Sequence, residues 1–282
     1  MGCCSTTLVN SSKIEPHNSH NWNYSNLSDW GRIYPSANGL NQSPIDIITS
    51  IAEFDETLKS NEFNFSFDLN CFIEIKNNGH TFMVSGVSDS SNVVGGPLPA
   101  QYKFVQFHMH WGLNEATGSE HLVDGSSFAG EIHFVYWNCE KYKSFEEAAK
   151  SSTHDGLAVF GVFVILGAEN NEFNKLVSVM DNVKLANHTT FVSRPLEIIK
   201  LFPDNLNKYW TYLGSLTTPP CTECALWTVF CDPIQMSIKQ LYRIKHLYNC
   251  SELSHCTESK RIRKNHRLPC ELNGRRVLKS FQ

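Results

Sequence analysis

The sequence has no run that approaches the ~18 consecutive apolar residues of a membrane-spanning helix. Its first ~20 residues lack the apolar stretch of a secretory signal. The closing Val277-Leu278-Lys279-Ser280-Phe281 offers no hydrophobic tail for a glycolipid anchor. No internal repeat, low-complexity tract or Pro/Gly/Ser linker divides it, so one domain is expected. A net charge of -4 gives no electrostatic case for nucleic acid. The basic cluster Lys260-Arg261-Arg263-Lys264 is short and reads as a solvated patch. What the chain does have is a hydrophobic content of 41% over 282 residues, ample for a real core.

Much of that content falls in short runs rich in β-branched and aromatic residues. Residues 63–67, 72–76, 104–110, 131–137, 157–166 and 225–230 are predicted strands. Residues 146–151, 172–183 and 234–247 are predicted helices, with Pro233 suited to a helix start. Within Gln106-Phe107-His108-Met109-His110-Trp111-Gly112, strand alternation places Gln106, His108 and His110 on one face. Phe107, Met109 and Trp111 take the other, which suits a core. In Glu131-Ile132-His133-Phe134-Val135-Tyr136-Trp137-Asn138, Glu131 and His133 likewise share a face. A lone His-x-His pair is more often incidental than a ligand pair. A third histidine on a neighbouring strand would give zinc three neutral nitrogens and leave a fourth position open, the arrangement of a catalytic site.

These segments, with Ser119-Glu120-His121 between them, resemble the alpha-class carbonic anhydrases. Further landmarks follow in order: Gln42-Ser43-Pro44, Asn77-Asn78-Gly79-His80, Asp155-Gly156-Leu157-Ala158-Val159, Gly214-Ser215-Leu216-Thr217-Thr218-Pro219-Pro220, Glu223-Cys224, Trp227, Asn265, Arg267 and Leu272-Asn273-Gly274-Arg275. The resemblance runs from about Trp22 to Phe281. It implies an α+β, strand-dominated fold: a large twisted, mostly antiparallel sheet flanked by short helices, with zinc at the base of a conical cleft. Residues 20–282 would form this domain, and residues 1–19 a flexible segment.

The resemblance also implies a set of roles. One Zn2+ per chain would sit on His108, His110 and His133, and zinc hydroxide would attack carbon dioxide to give bicarbonate. Metal-bound histidines usually donate their other N–H to a carbonyl, amide or carboxylate. Gln106 would serve His108, Glu131 would serve His133, and the Asn265 carbonyl would serve His110. Thr217 would accept a hydrogen bond from the hydroxide and donate to Glu120, which as a carboxylate only accepts. This directional chain explains why sulfonamides and certain anions are expected inhibitors. Val135, Val159, Leu216 and Trp227 would form the carbon dioxide pocket, with Thr218 beside substrate and product. His80 would shuttle the proton, since imidazole titrates near neutrality. Tyr24, Asn78 and Met83 would line the proton route, although Met83 departs from the polar residue common there. A monomer is expected.

The N-terminus and the cysteines bear on location. Met1-Gly2-Cys3-Cys4-Ser5-Thr6 fits an N-myristoylation pattern at Gly2. Palmitate on Cys3 and Cys4 would supply the further acyl chains that stable anchoring needs. A chance match in a disordered tail is the equal alternative. Secreted relatives commonly bridge a cysteine at the position of Cys221 to one near the Gln-Ser-Pro segment, where this chain has none around Ala37. That favours a reducing, cytoplasmic location, tethered or free. Sequons such as Asn26-Leu27-Ser28 and Asn187-His188-Thr189 point weakly to secretion. Cys221-x-x-Cys224 is read as structural rather than as a redox or zinc pair. Two other functions fit the sequence less well. A non-catalytic binding domain would be expected to have lost a zinc histidine. A dedicated esterase has no Ser-His-Asp signature here to support it.

Overall fold

Runs of alternating aromatic and β-branched residues form strands because such side chains pack well on a pleated surface. The computed structural model describes residues 22–68, 73–86, 90–192 and 195–282. The proposed acylation sites Gly2, Cys3 and Cys4, the segment 1–19 and Cys71 lie outside the described residues. Seven strands carry the architecture: β1 (Ile73–Asn77), β2 (Phe82–Gly86), β3 (Tyr102–Trp111), β4 (Gly130–Asn138), β5 (Leu157–Leu166), β6 (Tyr209–Gly214) and β7 (Ala225–Phe230). They belong to a sheet of thirteen strands among the described residues. Its main path runs Thr189–Phe191, β1, β2, β3, β4, β5, β7, β6, Leu278–Lys279, Glu53–Phe54. Pairing is antiparallel along most of it, with two parallel pairs, β5 with β7 and Leu278–Lys279 with Glu53–Phe54. The fold is the single-domain, strand-dominated one expected.

The two faces of this sheet separate core from chemistry. One face buries Phe107, Met109, Phe134, Tyr136, Phe160 and Leu226 in the larger apolar cluster. The other carries the histidines and a second cluster that includes Val135, Val159 and Trp227. A register shift between Phe104 and Gln106 sharpens the division. Simple alternation would put Phe104, Gln106 and His108 on one face. The extra residue lets Phe104 pack toward the larger core, while Gln106 faces the histidines.

The helices are shorter than the sequence suggested. The three that match the predicted segments are α1 (Phe145–Ala149), α2 (Asn171–Val177) and α3 (Ile238–Ile244), and two further short α-helices lie at Trp30–Ile33 and Glu56–Ser60. The predicted helix 172–183 ends at Val177, where the Ser178 hydroxyl turns back to the Lys175 carbonyl. A separate 3-10 turn covers Met180–Val183. The predicted helix 234–247 is corrected more sharply. Ile234–Met236 is a strand, paired in parallel with Val164–Leu166 of β5. The true helix start is Ser237, whose capping box with Gln240 satisfies two of the free N–H groups.

Candidate metal centre and cleft

The histidine site is set by strand register. His108 of β3 pairs with His133 of β4, and His110 with Glu131. Next along the sheet, His133 lies opposite Gly161 of β5. A Cβ at Gly161 would come within 2.9 Å of Glu131 Oε1, so this mid-strand glycine leaves room for the carboxylate.

Each histidine spends one ring nitrogen on a protein partner. His108 Nδ1 is 2.9 Å from Gln106 Oε1, and His110 Nδ1 is 2.7 Å from the Asn265 carbonyl. His133 Nε2 is 2.8 Å from Glu131 Oε1. If these nitrogens donate, then Nε2 of His108, Nε2 of His110 and Nδ1 of His133 are left as bare acceptors. One ligand nitrogen from each ring lies within 4.8 Å of the others. His110 Nε2 is fully buried and has no hydrogen-bond partner. Burial takes His108 down to about 3 and holds His110 and His133 below the usual range as well, so all three are neutral at pH 7. Three neutral imidazoles with bare nitrogens and an orphaned buried acceptor fit a zinc ion. A second grouping, His121, Glu131 and His133, is a hydrogen-bonded cluster rather than a metal site.

Glu131 is saturated. Its Oε1 faces His121 Nδ1 at 2.7 Å as well as His133. Its Oε2 accepts from the backbone N–H groups of Glu120 and His121 at 2.9 and 2.8 Å. Burial would raise its pKa, but its interactions with His121 and His133 together outweigh that and hold it well below the usual carboxylate range. Beyond it, His121 Nε2 meets the Tyr212 hydroxyl at 2.7 Å, which donates to Ser43 Oγ at 2.8 Å. Ser43 Oγ also accepts from the Ser215 N–H, and the Ser215 hydroxyl oxygen accepts from the Ser43 N–H. The early Ser43 thus anchors the start of the loop that carries Leu216, Thr217 and Thr218.

Glu120 lies fully buried beside the histidines. Its Oε1 accepts from the Arg267 backbone N–H at 2.7 Å, while Oε2 has no hydrogen-bond partner. Burial pushes this carboxyl well above the usual range. The Arg267 N–H and the nearby Thr217 hydroxyl act the other way, the latter without reaching good hydrogen-bond geometry. Val135, Val159 and Trp227 are buried together, with Leu216 packed against them. The Trp227 ring centroid is 4.8 Å from that of His133. Thr218 is half-buried.

His80 sits on the turn after β1, with Gly79 at a positive φ of 87°. Its N–H donates to Asn78 Oδ1, and its carbonyl accepts from the Asn265 side chain. Its ring lies flat on Trp22, with centroids 3.7 Å apart and planes 7° from parallel. Tyr24 stands edge-on at 6.4 Å. Burial lowers His80 to about 4. Met83 of β2 pairs with His108, which puts it on the histidine side.

Sequence reasoning gave no role to His121, Tyr212, Ser43, Arg267 or Trp22. The Ser-Glu-His triplet flagged His121 without revealing its partner. Cys221 and Cys224 are buried and unbonded, and burial pushes each thiol up to about 12, as suits structural cysteines. Cys250 and Cys256 form a disulfide that the sequence did not single out.

Comparison with known proteins agrees with this geometry. The family described as Eukaryotic-type carbonic anhydrase matches residues 25–281. The chain is 40% identical over 273 residues to carbonic anhydrase 1 of Mus musculus, covering 93% of this chain and 99% of that one. It is 37% identical over 267 residues to carbonic anhydrase 1 of Monodelphis domestica, covering 93% and 98%. The chain belongs to the eukaryotic-type carbonic anhydrase family, whose members hydrate carbon dioxide, and it is a carbonate dehydratase.

Proposed function

We propose that His108, His110 and His133 hold one zinc ion per chain, and that carbon dioxide is hydrated above them with His80 carrying the proton away. The observation that carries this is the convergence of three neutral imidazole nitrogens, one of them a buried acceptor without a partner. Zinc supplies Lewis acidity, bringing the pKa of water into the neutral range, a property for which carbonic anhydrases are the reference case.

The protein's own residues do the rest. Gln106, Glu131 and the Asn265 carbonyl fix the ring orientations from behind. Glu131 is itself fixed by four contacts, so the His133 ring has little freedom to rotate. Thr217 accepts a hydrogen bond from the attacking oxygen and donates its own proton to the partnerless Oε2 of Glu120, a role that needs the carboxyl ionised, which the Arg267 and Thr217 donors favour and burial opposes. This aims a lone pair at the substrate and disfavours groups with no proton to give, which is the basis for expecting sulfonamide-type inhibition. Val135, Val159, Leu216 and Trp227 give apolar, linear carbon dioxide a dry surface beside the histidines. Thr218 lines the place where bicarbonate forms. The proton leaves past Tyr24, Asn78 and Met83 to His80.

Stopped-flow carbon dioxide hydration with zinc measured on the same sample tests the reading. Rapid turnover with one zinc per chain is expected. Full zinc occupancy without turnover would overturn it. For the shuttle, His80→Ala should slow turnover in buffer too weak to carry protons itself, and unchanged turnover would remove His80 from the mechanism. Acylation at Gly2, Cys3 and Cys4 with attachment to a cytoplasmic membrane face is a separate proposal, resting on the N-terminal sequence motif. An unlabelled Gly2 after growth with labelled myristate would end it.

A further inference from the structure

The face of the sheet opposite the histidines borders a cavity of about 840 Å3 that the hydration reaction does not use. That volume lies within the ~300–1,000 Å3 typical of small-molecule sites. Strand register fixes the side. Tyr212 and Trp227 pair on the histidine face, so their neighbours Thr211, Leu213 and Leu226 point the other way; these three line the cavity, together with Tyr212 itself. Leu58, Leu98, Leu226 and Leu278 give the cavity an apolar wall, and Arg275 and Arg276 stand in its lining.

The two arginines differ. Arg276 spends its charge on Glu53. Arg275 donates to the backbone carbonyls of Leu272, Leu213, Gln42 and Glu271, at 2.8 to 3.0 Å. Those bonds hold the guanidinium rigidly and occupy four of its five N–H groups. They leave its charge unneutralised, since no carboxylate pairs with it among the described residues. The wall also contains Thr211, whose buried hydroxyl has no hydrogen-bond partner. It lies two residues along the same strand face from Leu213, whose carbonyl Arg275 holds.

We propose that this cavity binds an amphiphilic monocarboxylate of the fatty-acid class, with its alkyl chain on the leucines and its head at Arg275. A fixed guanidinium with one free N–H beside a mostly apolar wall offers a single charge-assisted hydrogen bond, enough for a monocarboxylate and too few donors for a multiply charged phosphate.

Isothermal titration of the zinc-loaded full chain with dodecanoate, kept below its micelle threshold, tests this. One molecule should bind per chain, and saturating benzenesulfonamide should not displace it. Dodecanol, which lacks the charge, should bind about tenfold more weakly. Leu278→Trp, which narrows the cavity, should weaken dodecanoate about tenfold while carbon dioxide hydration is unchanged. Should that variant fail to fold, Thr57→Trp on an exposed part of the same lining takes its place. Absence of saturable binding, displacement by the sulfonamide, equal affinity for dodecanol, or full binding in a folded narrowed variant would each overturn the proposal.

Discussion

Replacing Trp22 by alanine should free His80 and return it toward ordinary imidazole behaviour. In the folded chain the two rings are stacked at 3.7 Å, and burial holds His80 near pH 4. At pH 7 such a group is protonated in about one molecule in a thousand, against about one in four at the unperturbed pKa of about 6.5. An aromatic contact of about 0.5–1.5 kcal/mol also biases the ring toward the stacked position by about two- to tenfold. Trp22→Ala removes both constraints. Turnover in weak buffer should therefore rise, with kcat/KM for carbon dioxide unchanged because the histidine cluster is untouched. A linked change in stability follows. Between pH 6.5 and 4 the unfolded chain binds a proton at His80 that the folded chain does not. The contribution of a neutral His80 is thus fully present above pH 6.5 and is lost as pH falls toward 4. It amounts to at most about 3 kcal/mol, and less because the half-buried ring keeps some contact with water. Trp22→Ala should flatten that slope. The assay is NMR titration of the His80 ring in both proteins, together with stopped-flow at low buffer. A wild-type His80 that titrates near 6.5, or a variant with the same pKa as wild type, would refute the reasoning.

Three further outcomes are expected. Glu131→Gln removes the carboxylate behind His133 and His121, and should cost about 10–100-fold in zinc affinity or activity, read by chelator competition and stopped-flow. Thr217→Val should lower kcat/KM by about 10–100-fold at full zinc occupancy, the scale of a lost hydrogen bond to a charged group; an unchanged rate would remove Thr217 from the mechanism. Asn265→Ala strips an acceptor from the buried Trp111 N–H and donors from the His80 and Met109 carbonyls, and should destabilise the fold by about 1–3 kcal/mol in urea unfolding.

What was legible in the sequence was what the backbone decides over a few residues. Strand alternation is a local steric property with a period of two. It placed His108 with His110, and Glu131 with His133, before any tertiary contact was known. The family landmarks then ordered these pieces along the chain. Local signals failed where a distant strand offered a better alternative. Pro233 reads as a helix start, but the edge of β5 beyond Gly161 takes up Ile234–Met236 and postpones the helix to Ser237. Proline is tolerated just before a strand because it withholds no ladder donor there.

The sequence by itself determined which residues could share a face, the three histidines of the site and the family of the chain. Only the tertiary structure decided what stands behind them. The Asn265 carbonyl reaches His110 from 155 residues away, Arg267 reaches Glu120 from 147, and Ser43 clasps Ser215 from 172. It also decided that Trp22 lies flat on His80, and that an apolar cavity opens on the far face of the sheet. Contacts of this kind have no period along the chain. They depend on the order and twist of strands that meet only when the whole core is buried.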